Sequence, residues 1–182
     1  MIGWIILIAL VLIIVFLVGM YNSLVQLRVR SESAWSDIDV QLKRRHDLIP
    51  NLVETVKGYA THEKDTFENI AKFRSMAMQA TGPADKAAAE NQLTGALKSL
   101  FAVAENYPQL QASQEFTQLQ NSLSEIEDAI QNARRYYNAV VRDLNTKIQS
   151  FPTNILAGMF GFQQKQFFEA AAADREPVAV KF

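Results

Sequence analysis

Imidazole chemistry in this chain has two residues to work with, His46 and His62, and thiol chemistry has none, because there is no cysteine. The missing cysteine removes a disulfide scaffold, a thiolate zinc site, a cysteine nucleophile and a lipidated cysteine. His62-Glu63 has the start of a metal-binding pattern, but no second histidine stands four residues on, as a zinc helix of the H-E-x-x-H type needs. His46 lies sixteen residues away across a proline, so both histidines are expected on helix surfaces. No glycine-rich phosphate loop, nucleophile elbow or paired-carboxylate spacing is present. The expectation is no catalytic residue, no metal and no cofactor.

The charged groups suggest contacts more than reactions. Lys43-Arg44-Arg45 offers three cations to anionic lipid or to a partner's acidic face. If the helix carrying it is straight, the run lies well beyond the bilayer, which favours a solvated or partner-facing cluster. Glu63 and Arg74 fall on positions of an apolar seam, where charge is costly, and Arg134 borders a second seam beside Ala133. Such side chains either snorkel from the seam edge into water or pair across helices and fix their register. The whole chain carries 18 basic and 19 acidic residues, a net charge of −1, so no global field draws it to nucleic acid.

The charges are unevenly spread. Met1 to Leu27 has none, and all of them lie from Arg28 onward. Ile2 to Met20 (IGWIILIALVLIIVFLVGM) is apolar apart from its glycines and, as a helix, spans about 30 Å, the thickness of a hydrocarbon core. A buried core helix would carry a polar face. A cleaved signal would show a basic start, a shorter apolar run and a small-x-small site, none of which is here. The expectation is a retained single-pass anchor, contacting lipid through residues 2–20. Basic residues follow the span (Arg28, Arg30) and none precedes it, so the N-terminus belongs outside and the bulk of the chain in the cytosol.

Beyond the anchor the pattern is helical throughout. Ser113 to Gln149 places Phe116, Leu119, Leu123, Ile126, Ile130, Ala133, Tyr137, Val140 and Leu144 at alternating gaps of 3 and 4, the repeat of a supercoiled contact. Asn51 to Ala80 shows the same spacing at Val53, Val56, Ala60, Phe67, Ile70 and Ala77, and Ala84 to Ala104 adds Leu93, Leu97 and Leu100. Breakers fall at Pro50, Thr81-Gly82-Pro83, Tyr107-Pro108 and Phe151-Pro152. A helix boundary or a kink is expected near Pro50. Short connections between long helices force antiparallel neighbours. The fold class is therefore all-α: an N-terminal transmembrane helix (1–22), an elongated up-and-down bundle of about four long helices (23–169) and a C-terminal tail (170–182).

Two apolar surfaces exceed what one seam per helix requires. Leu24, Leu27, Ala34 and Ile38, with Trp35 beside them, form a stripe just above the bilayer, and its pairing predicts a homo-oligomer. The other is the C-terminal stretch holding Phe151, Phe160, Phe162, Phe167, Phe168 and Phe182, which either caps the bundle or forms an exposed patch for self-association or the membrane interface.

Four segments in order resemble the LemA family of bacterial membrane proteins: RRHDLIPNLVETVKGYATHE (44–63), ENYPQL (105–110), ARRYYNAVVRDLN (133–145) and FPTNILA (151–157). The resemblance covers the chain from the anchor to about Phe168. It implies a transmembrane N-terminal helix, a small exterior N-terminus and a cytosolic antiparallel bundle, with no cofactor or catalytic set. It also implies membrane-protein neighbours, such as a TPM-domain protein or a membrane metalloprotease. The functional expectation is a non-enzymatic, membrane-anchored, self-associating scaffold or adaptor in the bacterial cytoplasmic membrane. The alternatives are a metal-dependent enzyme or regulator using His62, Glu63 and helix carboxylates, and a membrane-shaping protein using the Phe-rich segment.

Overall fold

The computed structural model describes residues 1–168; the tail expected over 170–182 lies outside them. The fold is all-α, with six helices and no strand among the described residues: α1 (Ile2–Lys57), α2 (Lys64–Gln79), α3 (Pro83–Ala104), α4 (Pro108–Gln111), α5 (Gln114–Gln149) and α6 (Thr153–Met159).

Most ends follow from local chemistry. Pro83 and Pro108 each sit in the first turn of a helix, where the missing N–H is one the helix leaves unpaired anyway. Gly82, before α3, has φ +81°, a conformation that a side chain disfavours.

Pro50 behaves differently. The boundary expected there lies at 58–63 instead, because α1 runs through Pro50 to Lys57. A proline inside a helix cannot donate to the carbonyl four residues back, which here is His46. That carbonyl is not orphaned: the Arg74 Nε–H of α2 donates to it at 2.8 Å. A side chain thus supplies the hydrogen bond that the proline withholds, and the helix continues.

The chain forms two compact units. The first comprises Met1–Asp37 and Arg135–Phe167. Residues 1–19 are exposed over their whole circumference, and Met20 is the first buried side chain. This part of α1 is long and apolar enough to cross a membrane. Above it Leu24 packs with Leu144 and Ala157, and Leu27, Ile148 and Phe162 close around them. Lys147 Nζ donates to Ser23 Oγ at 2.7 Å, tying the end of α5 to α1 beside the span.

The second unit runs from Ile38 to Arg134 and includes Phe168. Its core joins Ile49, Leu52 and Val56 of α1, Phe67, Ile70 and Ala77 of α2, Leu93, Leu97 and Leu100 of α3, Leu110 of α4, and Phe116 and Leu123 of α5. Each large apolar side chain buried there contributes roughly 1.5–3 kcal/mol before the entropy of ordering is subtracted. All nine seam positions of α5 are buried or half-buried.

The stripe above the span does not face outward. Leu24, Ala34 and Ile38 are buried within the single chain and Leu27 is half-buried. The chain's own fold takes up the surface that was expected to pair between copies.

Candidate functional site

The second unit holds a buried charged cluster at the level of Arg45. On α1 the apolar register reads Ile38, Leu42, Arg45, Ile49, Leu52 and Val56, with gaps of 4, 3, 4, 3 and 4, so Arg45 occupies an inward position. On α3 Glu90 likewise falls between Ala87 and Leu93, both buried. Arg45 is 2% exposed, Glu90 4% and His46 6%. Lys43 and Arg44, expected to share one surface cluster with Arg45, are exposed, and His46, expected on the surface, is buried. The helical register separates them. His62 is exposed.

Isolated charge at such depth costs several kcal/mol per ion, so it must be paired. Arg45 Nη1 donates to Glu90 Oε2 at 3.1 Å. Its Nη2 donates to Thr94 Oγ1 at 2.7 Å and reaches Glu127 Oε1 on α5 at 2.9 Å. The other oxygen of Glu90 accepts from His46 Nε2 at 2.7 Å. The Thr94 hydroxyl in turn donates to the Glu90 backbone carbonyl at 2.9 Å. Arg45 Nε alone is buried without a partner. One guanidinium therefore joins α1, α3 and α5, and both oxygens of Glu90 are engaged.

Glu127 is the partly solvated member. Burial holds its carboxyl above the usual range; Arg45 pulls the other way, and Glu90 adds to the rise. The attraction of Arg45, and of Arg134 beyond it, does not prevail against the loss of solvent around the carboxyl.

A groove of about 420 Å³ opens over this cluster. Leu97, Phe101 and Leu123 give it apolar lining, and Thr94, Lys98, Gln120, Ser124, Glu127 and Gln131 supply polar groups. The groove thus combines apolar side chains with polar groups and both signs of charge. Among the described residues no group of three or more His, Cys, Asp or Glu could hold a metal ion.

The residues singled out from sequence are dispersed. Arg74, half-buried, completes the helix at Pro50, while Glu63 is the half-buried residue preceding α2. Neither forms a salt bridge among the described residues; the cross-helix Glu–Arg pairing falls to Arg45 with Glu90 and Glu127. Arg134 lies over the ring of Phe168, 5.1 Å from its centroid. In the first unit the Trp35 and Tyr137 rings pack tilted, 5.4 Å between centroids, and the Tyr137 hydroxyl donates to the Gln166 carbonyl at 2.8 Å. Burial pushes the Tyr137 phenol up. The phenylalanines divide: Phe168 is buried, Phe162 and Phe167 half-buried, and Phe151 and Phe160 exposed.

Arg45 is read from the sequence as part of a surface run and Glu90 is not singled out, although the signal for an inward position is present at each. Both are charges on an apolar register, the criterion that drew attention to Glu63 and Arg74.

Fold and site together define a membrane-associated helical protein with one N-terminal apolar helix and an internally paired charge cluster. The chain belongs to the LemA family, whose family model matches residues 34–182. It is 29% identical to Protein LemA of Metamycoplasma hominis over 165 residues, covering 88% of this chain and 74% of that one. It is also 27% identical to Magnetosome protein MamQ 2 of Paramagnetospirillum magneticum over 184 residues, covering 87% and 68%. To Magnetosome protein MamQ of Magnetospirillum gryphiswaldense it is 26% identical over 196 residues, covering 93% and 72%.

Proposed function

We propose that this protein is a non-enzymatic adaptor of the bacterial cytoplasmic membrane, anchored through Ile2–Met20, with its N-terminus outside and its helical units in the cytosol. The observation that carries the reading is the continuity of α1. One helix contains the apolar span and also places Ile49, Leu52 and Val56 in the core of the second unit. The helix that contains the span also contributes Arg45 to the groove of the second unit. The groove beside Arg45 and Glu127 is the binding surface, and its occupant is a segment of a partner protein. The charged cluster supports a binding role over a catalytic one, because both carboxylate oxygens of Glu90 and both terminal nitrogens of Arg45 are held in bonds within the unit. The orientation rests on Arg28 and Arg30 following the span.

The test compares native-membrane pull-downs of the full chain with those of Ser124→Trp. Ser124 is exposed and lines the groove, so tryptophan fills it without disturbing the core. The expected result is a partner retained by the unmodified chain and lost from the variant, at unchanged helix content. An identical set of captured proteins from both would count against the groove. Stoichiometric metal in the purified full chain would favour a metal-dependent role over the adaptor.

A further inference from the structure

The segment from Phe151 to Phe162 (FPTNILAGMFGF) contains no charged residue. Its helix, α6, turns Leu156 and Ala157 inward. Ile155 and Met159, four apart on α6 and hence on one face, stay exposed at 55% and 74%, and Phe151, in the turn before the helix, is 81% exposed. Phe160 is 57% exposed. Four large apolar side chains on an uncharged segment are an unusual surface to leave in water.

Their location within the first unit identifies what covers them. The Phe160 ring packs on Tyr21 at 4.8 Å between centroids, and Phe162 packs on the same ring at 5.9 Å. Tyr21 directly follows the apolar run, and Met20 beside it is where burial by the chain itself begins. The exposed row therefore lies level with the end of the span. Cations stand at the same level: Arg28 lies 5.3 Å from the Phe162 centroid, and Lys147 reaches Ser23. Aromatic rings beside cations at the end of a span are the composition of a membrane–water interface.

We propose that α6 and its flanks form a second membrane contact, with Phe151, Ile155, Met159 and Phe160 set into the headgroup region of the leaflet from which α1 emerges. The occupant is lipid, because the patch is continuous with a surface that already needs lipid to cover it. The contact rests on reading Ile2–Met20 as the span, and it does not depend on the adaptor role. It adds a point of attachment to the single helix, so the first unit is held against the bilayer and cannot swing freely about Tyr21.

The chain's lack of cysteine makes the test direct. Single cysteines at Ile155 and Met159, with controls at Leu12 in the span and at Tyr136, are labelled with an environment-sensitive fluorophore in the full chain. Tyr136 is exposed and adjoins Tyr137, which packs on Trp35, about 20 Å along α1 from Tyr21. Each variant is reconstituted into phosphatidylcholine vesicles, and quenching by a mixture of lipids brominated near the headgroup end and near the methyl end of their acyl chains is compared with quenching by aqueous iodide. The expected result is strong bromolipid quenching and loss of iodide quenching at Ile155 and Met159, as at Leu12, with the reverse at Tyr136. Iodide quenching at Ile155 and Met159 while Leu12 remains in lipid overturns the second contact and leaves the anchor standing. Protection from both quenchers replaces lipid with a second copy of the chain and overturns the proposal. Failure of bromolipid to quench at Leu12 removes the anchor, and this contact with it.

Discussion

If Arg74 completes the helix that Pro50 interrupts, the two residues must be energetically coupled although neither side chain bonds the other. The perturbation is Arg74→Met, which keeps an unbranched apolar stem of similar reach and removes the donor. It leaves the His46 carbonyl without the bond now measured at 2.8 Å. Losing a hydrogen bond from a charged donor and stranding its acceptor costs about 1–3 kcal/mol, and the lower half applies because Arg74 is half-exposed. In a Pro50→Ala background the restored N–H bonds the same carbonyl within the helix, so Arg74→Met should cost only about 0.5 kcal/mol there. The coupling is therefore about 1 kcal/mol, well above the ~0.3–0.5 kcal/mol scatter of additive pairs. Urea unfolding of the four full-length proteins in one mild detergent, followed by helical circular dichroism, reads it out, and thermal midpoints should differ by about 2–4 °C per kcal/mol. Pro50→Ala alone should be neutral or stabilising. Equal losses from Arg74→Met in both backgrounds would refute the reasoning, since the arginine would then be acting through something other than the proline's missing donor.

Three further outcomes follow from the packing and charges. Because the folded-state pKa of Glu127 lies above its unfolded value, the folded protein holds more protons between the two, and stability falls as pH rises through that window. Glu127→Gln should remove this decline, so its unfolding midpoint gains on the unmodified protein as pH rises from the usual carboxylate range; parallel curves would contradict it. Ile38→Asp places a carboxylate at a fully buried position and should cost about 4 kcal/mol or more, lowering helix content and thermal midpoint together. A variant that kept its fold and lost only an oligomer would return Ile38 to the surface. A reporter active only in the cytosol, fused after Phe182, should be active, and activity there of a reporter working only outside the cytosol would reverse the orientation.

What could be read from the sequence follows how local each signal is. The α5 seam from Phe116 to Leu144 is a property of one helix, and the structure buries or half-buries all of it. Thr81-Gly82-Pro83 and Tyr107-Pro108 start helices because a proline in the first turn needs no partner. Pro50 carries the same letter, but its outcome depends on a guanidinium twenty-four residues away, which no local pattern contains. Arg45 and Glu90 lie forty-five residues apart. Each was visible as a charge on its own helix's register, but their pairing needs the packing of α1 on α3. The stripe from Leu24 to Ile38 was correctly seen as apolar and in need of cover. Whether another copy or the chain itself covers it is a question of tertiary topology: Leu144 and Ala157 cover Leu24, and Ala34 and Ile38 are buried within the single chain. The Phe-rich stretch was divided by the same topology, with Phe162 turned onto Leu24 and Leu144 and Phe160 left outside.

The adaptor reading is tested most directly by photo-crosslinking in living cells from two positions of the full-length chain. A photoreactive residue at Gln131, exposed at the groove, is compared with one at Asp65, exposed on α2 and outside the groove. The account predicts a discrete protein adduct in the membrane fraction from Gln131, absent from Asp65 and abolished when Ser124→Trp fills the groove. Matching adducts from both positions, or a Gln131 adduct that survives Ser124→Trp, would contradict it.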